Sequence, residues 1–238
     1  MPEAPGLAGF LAVLQLSDSA FPTGRYTFSH GLEAFGQHGL VTADSPPETL
    51  QKLLRDVIRH GVGPSDGVAL ACAHGAVGPA GNVDLELVVR ADERLTAVKL
   101  AREAREASIR TGHALLTTAT AIGGDGLLDY SRLVDEGRAP GNHAVVLGLV
   151  DGLLGVPRLE AVAGELFAFA AGWIAAAVRL ALTDHRTAQS LLAQVRPVLV
   201  EAAEHAVAGG VARISSCSPL PDVMAMRHEQ AELRLFAS

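Results

Sequence analysis

Polar side chains are concentrated in one stretch of the sequence, AFPTGRYTFSHGLEAFG, which spans residues 20–36. A serine, a histidine and a glutamate stand within five positions, at Ser29, His30 and Glu33, and Tyr26 precedes them. These residue types act as nucleophiles, general bases and proton donors in enzymes, and some of them bind metals. The stretch could therefore form a catalytic site, a metal site or a surface that another protein binds.

The spacing of these residues disfavours a catalytic triad. Adjacent residues of a helix point about 100° apart, so Ser29 and His30 would not face each other. A pocket near Tyr26, His30 and Glu33 is still the basis of one alternative, in which the chain is a small helical enzyme or a carrier of a metal or small ligand.

Other motifs for chemistry are absent from the sequence. It contains no GxxxxGK[ST] phosphate-binding loop, no HExxH and no GxSxG. Nine histidines and two cysteines show no CxxC or HxxxH spacing, and Cys72 and His74 would lie on opposite faces of a helix. The sequence therefore predicts no catalytic residue and no resident metal site.

Composition narrows the class of protein. The chain has 238 residues, of which 49% are hydrophobic, and a net charge of −7 without a basic cluster, which argues against nucleic-acid binding. Residues 1–24 hold no Lys or Arg, so the basic start of a signal peptide is missing. The apolar run at residues 166–178 is shorter than the roughly 18 residues that span a membrane. We expect a cytoplasmic protein without a membrane segment, in which this run is a core helix.

Apolar residues recur at helical spacing along most of the chain, and no alternating strand pattern is present. The spacing predicts an all-α fold, a single globular helical domain of roughly eight to ten helices. We assign residues 1–217 to this domain and residues 218–238 to a C-terminal docking tail. Helical patterns cover the ranges 45–61, 83–121, 143–155, 159–182 and 191–199, and 123–127 is predicted to be a loop.

Local signals predict where some helices begin and end. Ser45 is placed to cap a helix, with Pro46 at its first position and Glu48 closing a capping box. Gly61 is expected to end that helix, and Pro197 to kink or break a later one. In the N-terminal stretch, Thr27 or Ser29 is expected to cap a helix with a buried stripe of Phe28, Leu32 and Phe35.

The last residues of the chain, DVMAMRHEQAELRLFAS, are too apolar for a simply disordered tail. They could dock on their own domain or bind a partner, and the sequence leaves both possibilities open.

Three segments together resemble the UreF family of urease accessory proteins, and the likeness covers nearly the whole chain. They are AVLQLSDSAFPTGRYTFSHGLE, AAVRLALTDHRTAQSLL and MRHEQAELRLFAS. The resemblance implies an all-α fold that forms a homodimer and a non-enzymatic role as scaffold and regulator. Its partners would be a UreD- or UreH-type subunit, the GTPase UreG and apo-urease. No cofactor is implied: nickel would be in transit, and GTP would be on the partner only.

The resemblance also implies which residues matter. The turn would be shaped by Pro22, Gly24 and Gly31. The implied partner-binding residues are Tyr26, Ser29, Glu33, Arg179, Met226, Arg227, His228, Glu229, Arg234, Leu235 and Phe236. Two positions depart from the family's pattern: Arg25 stands where many members have glycine, and Asp184 lies where many have a small flexible loop.

Overall fold

The apolar patterns of the sequence correspond to helices over most of the described residues. The computed structural model describes residues 6–122 and 124–237, and within them the all-α prediction is confirmed. If the uninterrupted run Pro47–Gly75 counts as one helix, these residues form ten helices, within the expected range, besides two three-residue 3₁₀ turns, Arg25–Thr27 and Val211–Arg213, and no strand. The α-helices are α1 (Leu7–Ser17), α2 (Leu32–Gln37), α3 (Pro47–Val57), α4 (Val68–Gly75), α5 (Leu85–Val98), α6 (Arg102–Ala119), α7 (Gly124–Asp135), α8 (His143–Leu153), α9 (Arg158–Arg179), α10 (His185–Val207) and α11 (Pro219–His228).

The centre of the domain is the contact between α4 and α8. Every residue from 68 to 73 on α4 and from 143 to 151 on α8 is buried. Small residues allow this close packing, since the backbone of α8 at Gly148 lies directly against the carbonyl of Leu70. The longer helices α9 and α10 pack against each other and complete the core.

A buried carboxylate fixes where α8 begins. Asp92, on α5, accepts hydrogen bonds from the Tyr130 hydroxyl (2.5 Å) and from the backbone N–H groups of Gly141 (2.7 Å) and Asn142 (3.0 Å). Burial raises the pKa of Asp92, and these donors oppose the rise. Because Asn142 is the residue before α8, the network also sets the position of His143, the first residue of that helix.

The prediction that the helix starting at Pro47 ends at Gly61 is wrong. The helix continues to Gly75 through a π-helical segment, Ile58–Gly67, which joins α3 to α4. Gly61, Gly63 and Pro64 make this segment a poor α-helix, since glycine is flexible and proline has no N–H to donate. Residues 215–217 run alongside the segment, where the N–H of Cys217 donates to the carbonyl of His60 over 2.8 Å.

Other predicted boundaries also need correction. Pro46 rather than Ser45 precedes the first residue of α3, and the Ser45 hydroxyl accepts from the Thr42 N–H instead. Pro197 does not break α10, because packing against α9 outweighs the local preference. The loop predicted for 123–127 is wrong from Gly124 onward, where α7 begins, and residue 123 lies outside the described residues.

Helix α9 contains the apolar run that was expected to be a core helix. Its 22 residues have a mean hydropathy of 1.8 in an 18-residue window, enough to cross a membrane by length and composition alone. However, 56% of that window is buried inside the domain, where it packs against α10 and α1. The prediction of a buried core helix is therefore confirmed.

The C-terminal residues lie on their own domain. Helix α11 packs against α2 and α6, and after it the chain returns to the N-terminal turn, where the N–H of Ala237 donates to the carbonyl of Thr27 over 2.9 Å. Of the two possibilities that the sequence left open, this structure shows the docked one.

The close approach of α4 and α8 can be tested with Gly148→Ala. A Cβ at position 148 would overlap the carbonyl oxygen of Leu70, so we expect the free energy of unfolding to fall by about 3 kcal/mol. Gly172→Ala, on α9, is the matched control because its Cβ would meet no atom within 4 Å. That variant should gain up to about 1 kcal/mol from helix propensity. Urea denaturation of both variants measures the difference, and equal effects would contradict the described packing.

Candidate functional site

Most of the predicted partner-binding residues come together where the C-terminal segment meets the N-terminal turn. We call this region the C-terminal latch, formed by residues 228–237 with Tyr26, Glu33, Glu103 and Arg179. The two ends of the chain are brought together there by hydrogen bonds, ring contacts and two buried side chains of the segment, His228 and Phe236.

The carboxylate of Glu33 is the centre of the latch. Its side chain is only 3% exposed, on the short helix α2. It accepts hydrogen bonds from the backbone N–H of Leu235 (2.8 Å), the backbone N–H of Phe236 (3.0 Å) and the side-chain amide of Gln37 (3.3 Å). His228 Nε2 lies 2.9 Å from its second oxygen. These donors satisfy a buried charge that would otherwise strongly destabilise the fold.

His228 lies between two carboxylates and is fully buried. Its Nδ1 is 2.8 Å from Glu103 Oε2, opposite the contact of Nε2 with Glu33. The ring can donate to both carboxylates only when both nitrogens carry a proton. Glu103 also accepts from Arg234 Nη1 over 2.5 Å, and its backbone N–H donates to Glu229. The segment is therefore tied to α6 as well as to α2.

Arg179, at the end of α9, lies between two aromatic rings of the latch. Its guanidinium carbon is 3.9 Å from the ring centre of Tyr26 and 4.4 Å from that of Phe236. Its Nη1 also donates to the carbonyl of Tyr26 over 2.6 Å. Such stacking suits the planar, weakly hydrated guanidinium, which lysine would not reproduce.

The turn residues place Tyr26 and Glu33 on this surface. Gly24 and Gly31 have φ angles of 77° and 80°, the left-handed conformation that favours glycine. Pro22 lies just before this turn, at the exposed surface. Helix α2 begins only after Gly31, so the expected cap at Thr27 or Ser29 is wrong. The Ser29 hydroxyl instead accepts from the N–H of Glu33 over 3.4 Å.

The remaining predicted residues face outward. Met226 and Arg227, on α11, are exposed. Leu235 is held through its backbone, and its side chain is 81% exposed, next to Leu233 with 84%. A hydrogen bond from Gln37 to the carbonyl of Leu233, 3.0 Å long, fixes this neighbour too. The latch thus displays two leucine side chains from an ordered backbone.

The two departures from the family's pattern each have a structural role. Arg25 forms a two-pronged ion pair with Glu165 of α9, with distances of 2.7 and 2.9 Å, and its Nη1 lies 3.1 Å from His143 Nε2. Burial would raise the pKa of Glu165, but the charge and hydrogen bonds of Arg25 and the contact with His143 together outweigh it and lower that pKa to about 2. Asp184 caps α10 by accepting from the N–H groups of Arg186 and Thr187.

Sequence reasoning missed Glu103, Glu165 and Asp151. Their partners are far away in sequence, and no local motif marks them. Asp151 lies in the core on α8, and burial together with the charge of Glu165 raises its pKa to about 7. Its Oδ1 has no hydrogen-bond partner among the described residues.

The geometry does not assemble a reaction centre from the residues of the opening stretch. Glu33 has both oxygens occupied by donors, and the ring of His30 lies instead between Phe28 and Phe169, at centroid distances of 6.0 and 4.7 Å. His30 lines a different cavity from Glu33. Across residues 6–122 and 124–237, no group of three His, Cys, Asp or Glu side chains is arranged to hold a metal ion. The arrangement is that of a docked segment with an exposed apolar edge.

Comparisons with known proteins agree with the resemblance seen in the sequence. A family model described as UreF matches residues 45–196. The urease accessory protein UreF of Trichodesmium erythraeum is 35% identical over 96% of this chain and 96% of its own length. UreF of Paenarthrobacter aurescens is 34% identical over 96% and 97%, and UreF 2 of Brucella canis is 30% identical over 97% and 92%.

The role of Glu33 in the latch can be tested with Glu33→Gln. The amide keeps the shape but removes the charge and one acceptor oxygen, so the segment should loosen while the core stays folded. We expect hydrogen exchange at Leu235 and Phe236 to speed up at least tenfold, measured by mass spectrometry. Glu232→Gln, at an exposed position of the same segment, should leave exchange unchanged. Slow exchange in the Glu33 variant would contradict this role.

The buried Asp151 should make stability depend on pH. Because its pKa is raised to about 7 in the folded state, compared with about 3.9 in an unfolded chain, its contribution to stability is present below about pH 4 and is lost as pH rises to 7. Asp151→Asn should therefore be more stable than the parent at pH 8, by about 4 kcal/mol because one pKa unit corresponds to about 1.4 kcal/mol, and nearly equal at pH 4.

Urea denaturation across this pH range measures the difference between the two curves. Asp135→Asn makes the same chemical change at an exposed position at the end of α7 and should leave the parent's curve unchanged. If the free energy of unfolding depends on pH in the same way for the parent and for the Asp151 variant, the raised pKa of Asp151 in the folded state is contradicted.

Proposed function

The chain belongs to the UreF family of urease accessory proteins, and we propose that it is a non-enzymatic scaffold and regulator of urease maturation. In this role it bridges a UreD/UreH-type subunit and the GTPase UreG, so that nickel can be inserted into apo-urease. It acts in the cytoplasm as a homodimer. Nickel is the cargo of the assembly, GTP is bound and hydrolysed on UreG, and this chain needs no cofactor of its own.

The observation that carries the proposal is the ordered display of Leu233 and Leu235. Exposed apolar side chains on a backbone held by side-chain hydrogen bonds are typical of a binding surface, because little further ordering is needed on association. Leu180 and Leu182 line a shallow pocket beside them, together with Glu33. We assign this edge of the latch to the UreD/UreH-type subunit.

A second surface is suited to the GTPase. The guanidinium of Arg179 stacks on the exposed ring of Tyr26 and also contacts the ring of Phe236, the residue after Leu235. Because the same segment contacts both groups, binding at the leucine edge stabilises the stack of Tyr26 and Arg179. This coupling would make recruitment of UreG depend on the first partner.

The alternative of a small enzyme or ligand carrier near Tyr26, His30 and Glu33 has less support. His30 lines a separate cavity, the carboxylate of Glu33 is bonded to the C-terminal latch, and Tyr26 lies against Arg179 at the surface. The three residues therefore do not line one pocket. Unchanged turnover in a combined His30→Ala and Glu33→Ala variant, in any assay in which the parent is active, would remove the enzyme alternative.

The docking assignment can be tested by replacing both displayed leucines, as Leu233→Ser with Leu235→Ser. Removal of this apolar edge should reduce the UreD/UreH-type subunit recovered by co-purification about tenfold, and UreG should be lost with it. Both backbones keep their bonds to Gln37 and Glu33, so the melting temperature should change little.

Point substitutions are preferable to a chain that ends at Pro221. Such a truncation would also remove the buried Met224 and His228 and so disturb the fold. The matched control is Ile122→Ser with Leu128→Ser, since both residues are exposed and lie at or near α7. Full recovery of both partners with the Leu233 and Leu235 double variant would reject the docking assignment. If the parent chain is a monomer that binds neither partner, the proposed scaffold role is rejected.

A further inference from the structure

A cavity that is partly open to solvent lies between α6, α9, α11 and the π-helical segment, away from the displayed leucines. It has a volume of about 170 Å³, and both charged and apolar side chains line it. An engineered cavity of about 150 Å³ in another protein is large enough to bind benzene. The cavity therefore has room for a small organic molecule.

The cationic side chains that line the cavity are already paired. Arg25 is bound by Glu165, and Lys99 donates to both oxygens of Asp66, at 2.9 and 2.8 Å. A further anionic ligand would have to break one of these ion pairs. The wall therefore does not favour an anion.

One carboxylate of the wall has no partner. Asp222, on α11, makes no side-chain hydrogen bond or ion pair with any residue in 6–122 or 124–237. The other three acids of the same wall are paired: Asp66 with Lys99, Glu165 with Arg25, and Glu103 with His228 and Arg234. Burial raises the pKa of Asp222, and the charge of Lys99 opposes the rise. A cation beside Asp222 would stabilise its charged form.

Aromatic rings form another part of the wall. Phe28, His30 and Phe169 are in contact with one another, with His30 in the middle. Burial, followed by the charges of Arg25 and Lys99, lowers the pKa of His30 to about 4, so its ring is neutral at physiological pH. Neutral aromatic faces attract cations, and Arg110 already lies 5.2 Å from the ring centre of Phe28.

We propose that this cavity binds a small organic ammonium ion, with its charged nitrogen at Asp222 and its alkyl part against Phe28 and Phe169. The apolar rings suit an alkyl group better than the water shell of a metal ion. A divalent metal would also require several oxygen or nitrogen ligands, and the described residues offer no group of three such side chains. The displayed leucines do not line this cavity, and the proposal does not depend on the assignment of the partner-binding surfaces.

The test is isothermal titration calorimetry of the full chain with n-butylammonium chloride. Binding on the order of 1 mM or tighter is expected, while sodium chloride and the uncharged n-butanol should bind at least tenfold more weakly. Absence of binding at 10 mM, equal binding of n-butanol, or tighter binding of Mg²⁺ at Asp222 would overturn the proposal.

Variants locate the site within the chain. Asp222→Asn removes the charge and should weaken n-butylammonium binding at least tenfold, since hydrogen bonds to charged groups are the stronger ones. Phe169→Leu keeps an apolar wall without the ring and should weaken binding severalfold. Asp44→Asn, at an exposed position outside the cavity, is the matched control and should bind like the parent.

Asp222 also lies in the first turn of α11, where a negative charge stabilises a helix. Circular dichroism therefore checks that each variant is folded before titration. A folded Asp222 variant with unchanged affinity would overturn the proposal, and so would a folded Phe169 variant that binds as tightly as the parent.

Discussion

One buried carboxylate connects the two ends of this chain. Glu33 is withdrawn from water, and an ionised group in that position needs donors to offset its lost hydration. Leu235, Phe236 and His228 supply them, from about 200 residues further along the sequence. The short helix α2 and the C-terminal segment therefore depend on each other. Without the contact, the carboxylate of Glu33 and the N–H groups that it binds would lose their hydrogen-bond partners.

The same constraint recurs at other junctions of the domain. The core is built largely from Leu, Val and Ala, with only 4% aromatic residues in the chain, so apolar packing alone does little to distinguish one helix end from another. Buried carboxylates supply that specificity: Asp92 sets the start of α8, and Glu165 ties the N-terminal turn to α9. Asp151 is the exception, since no donor within residues 6–122 and 124–237 meets its Oδ1.

The contrast between a closely packed core and a latch held by polar contacts suits a protein that binds others. The tightly packed centre of α4 and α8 provides a rigid base, whereas the latch is held by a few polar contacts at the edge of the domain. Segments held in this way open at lower free-energy cost than core helices. Helix α11 contributes His228 to the latch and Asp222 to the cavity wall. Movement of this helix would therefore change both the latch and the cavity.

The sequence by itself determined the fold class, the main helices and the family, because helical spacing and the segments at each end of the chain are local patterns. It also marked most residues of the latch, including Tyr26, Glu33 and His228 but not Glu103. It did not predict that Gly61 and Pro64 lie within a continuous helix, since packing outweighed their local preference. Only the tertiary structure decided which donors meet Glu33, that Arg25 pairs with Glu165, and that the tail lies on its own domain. Those contacts join residues far apart in sequence, and their energy depends on burial, which no local pattern records.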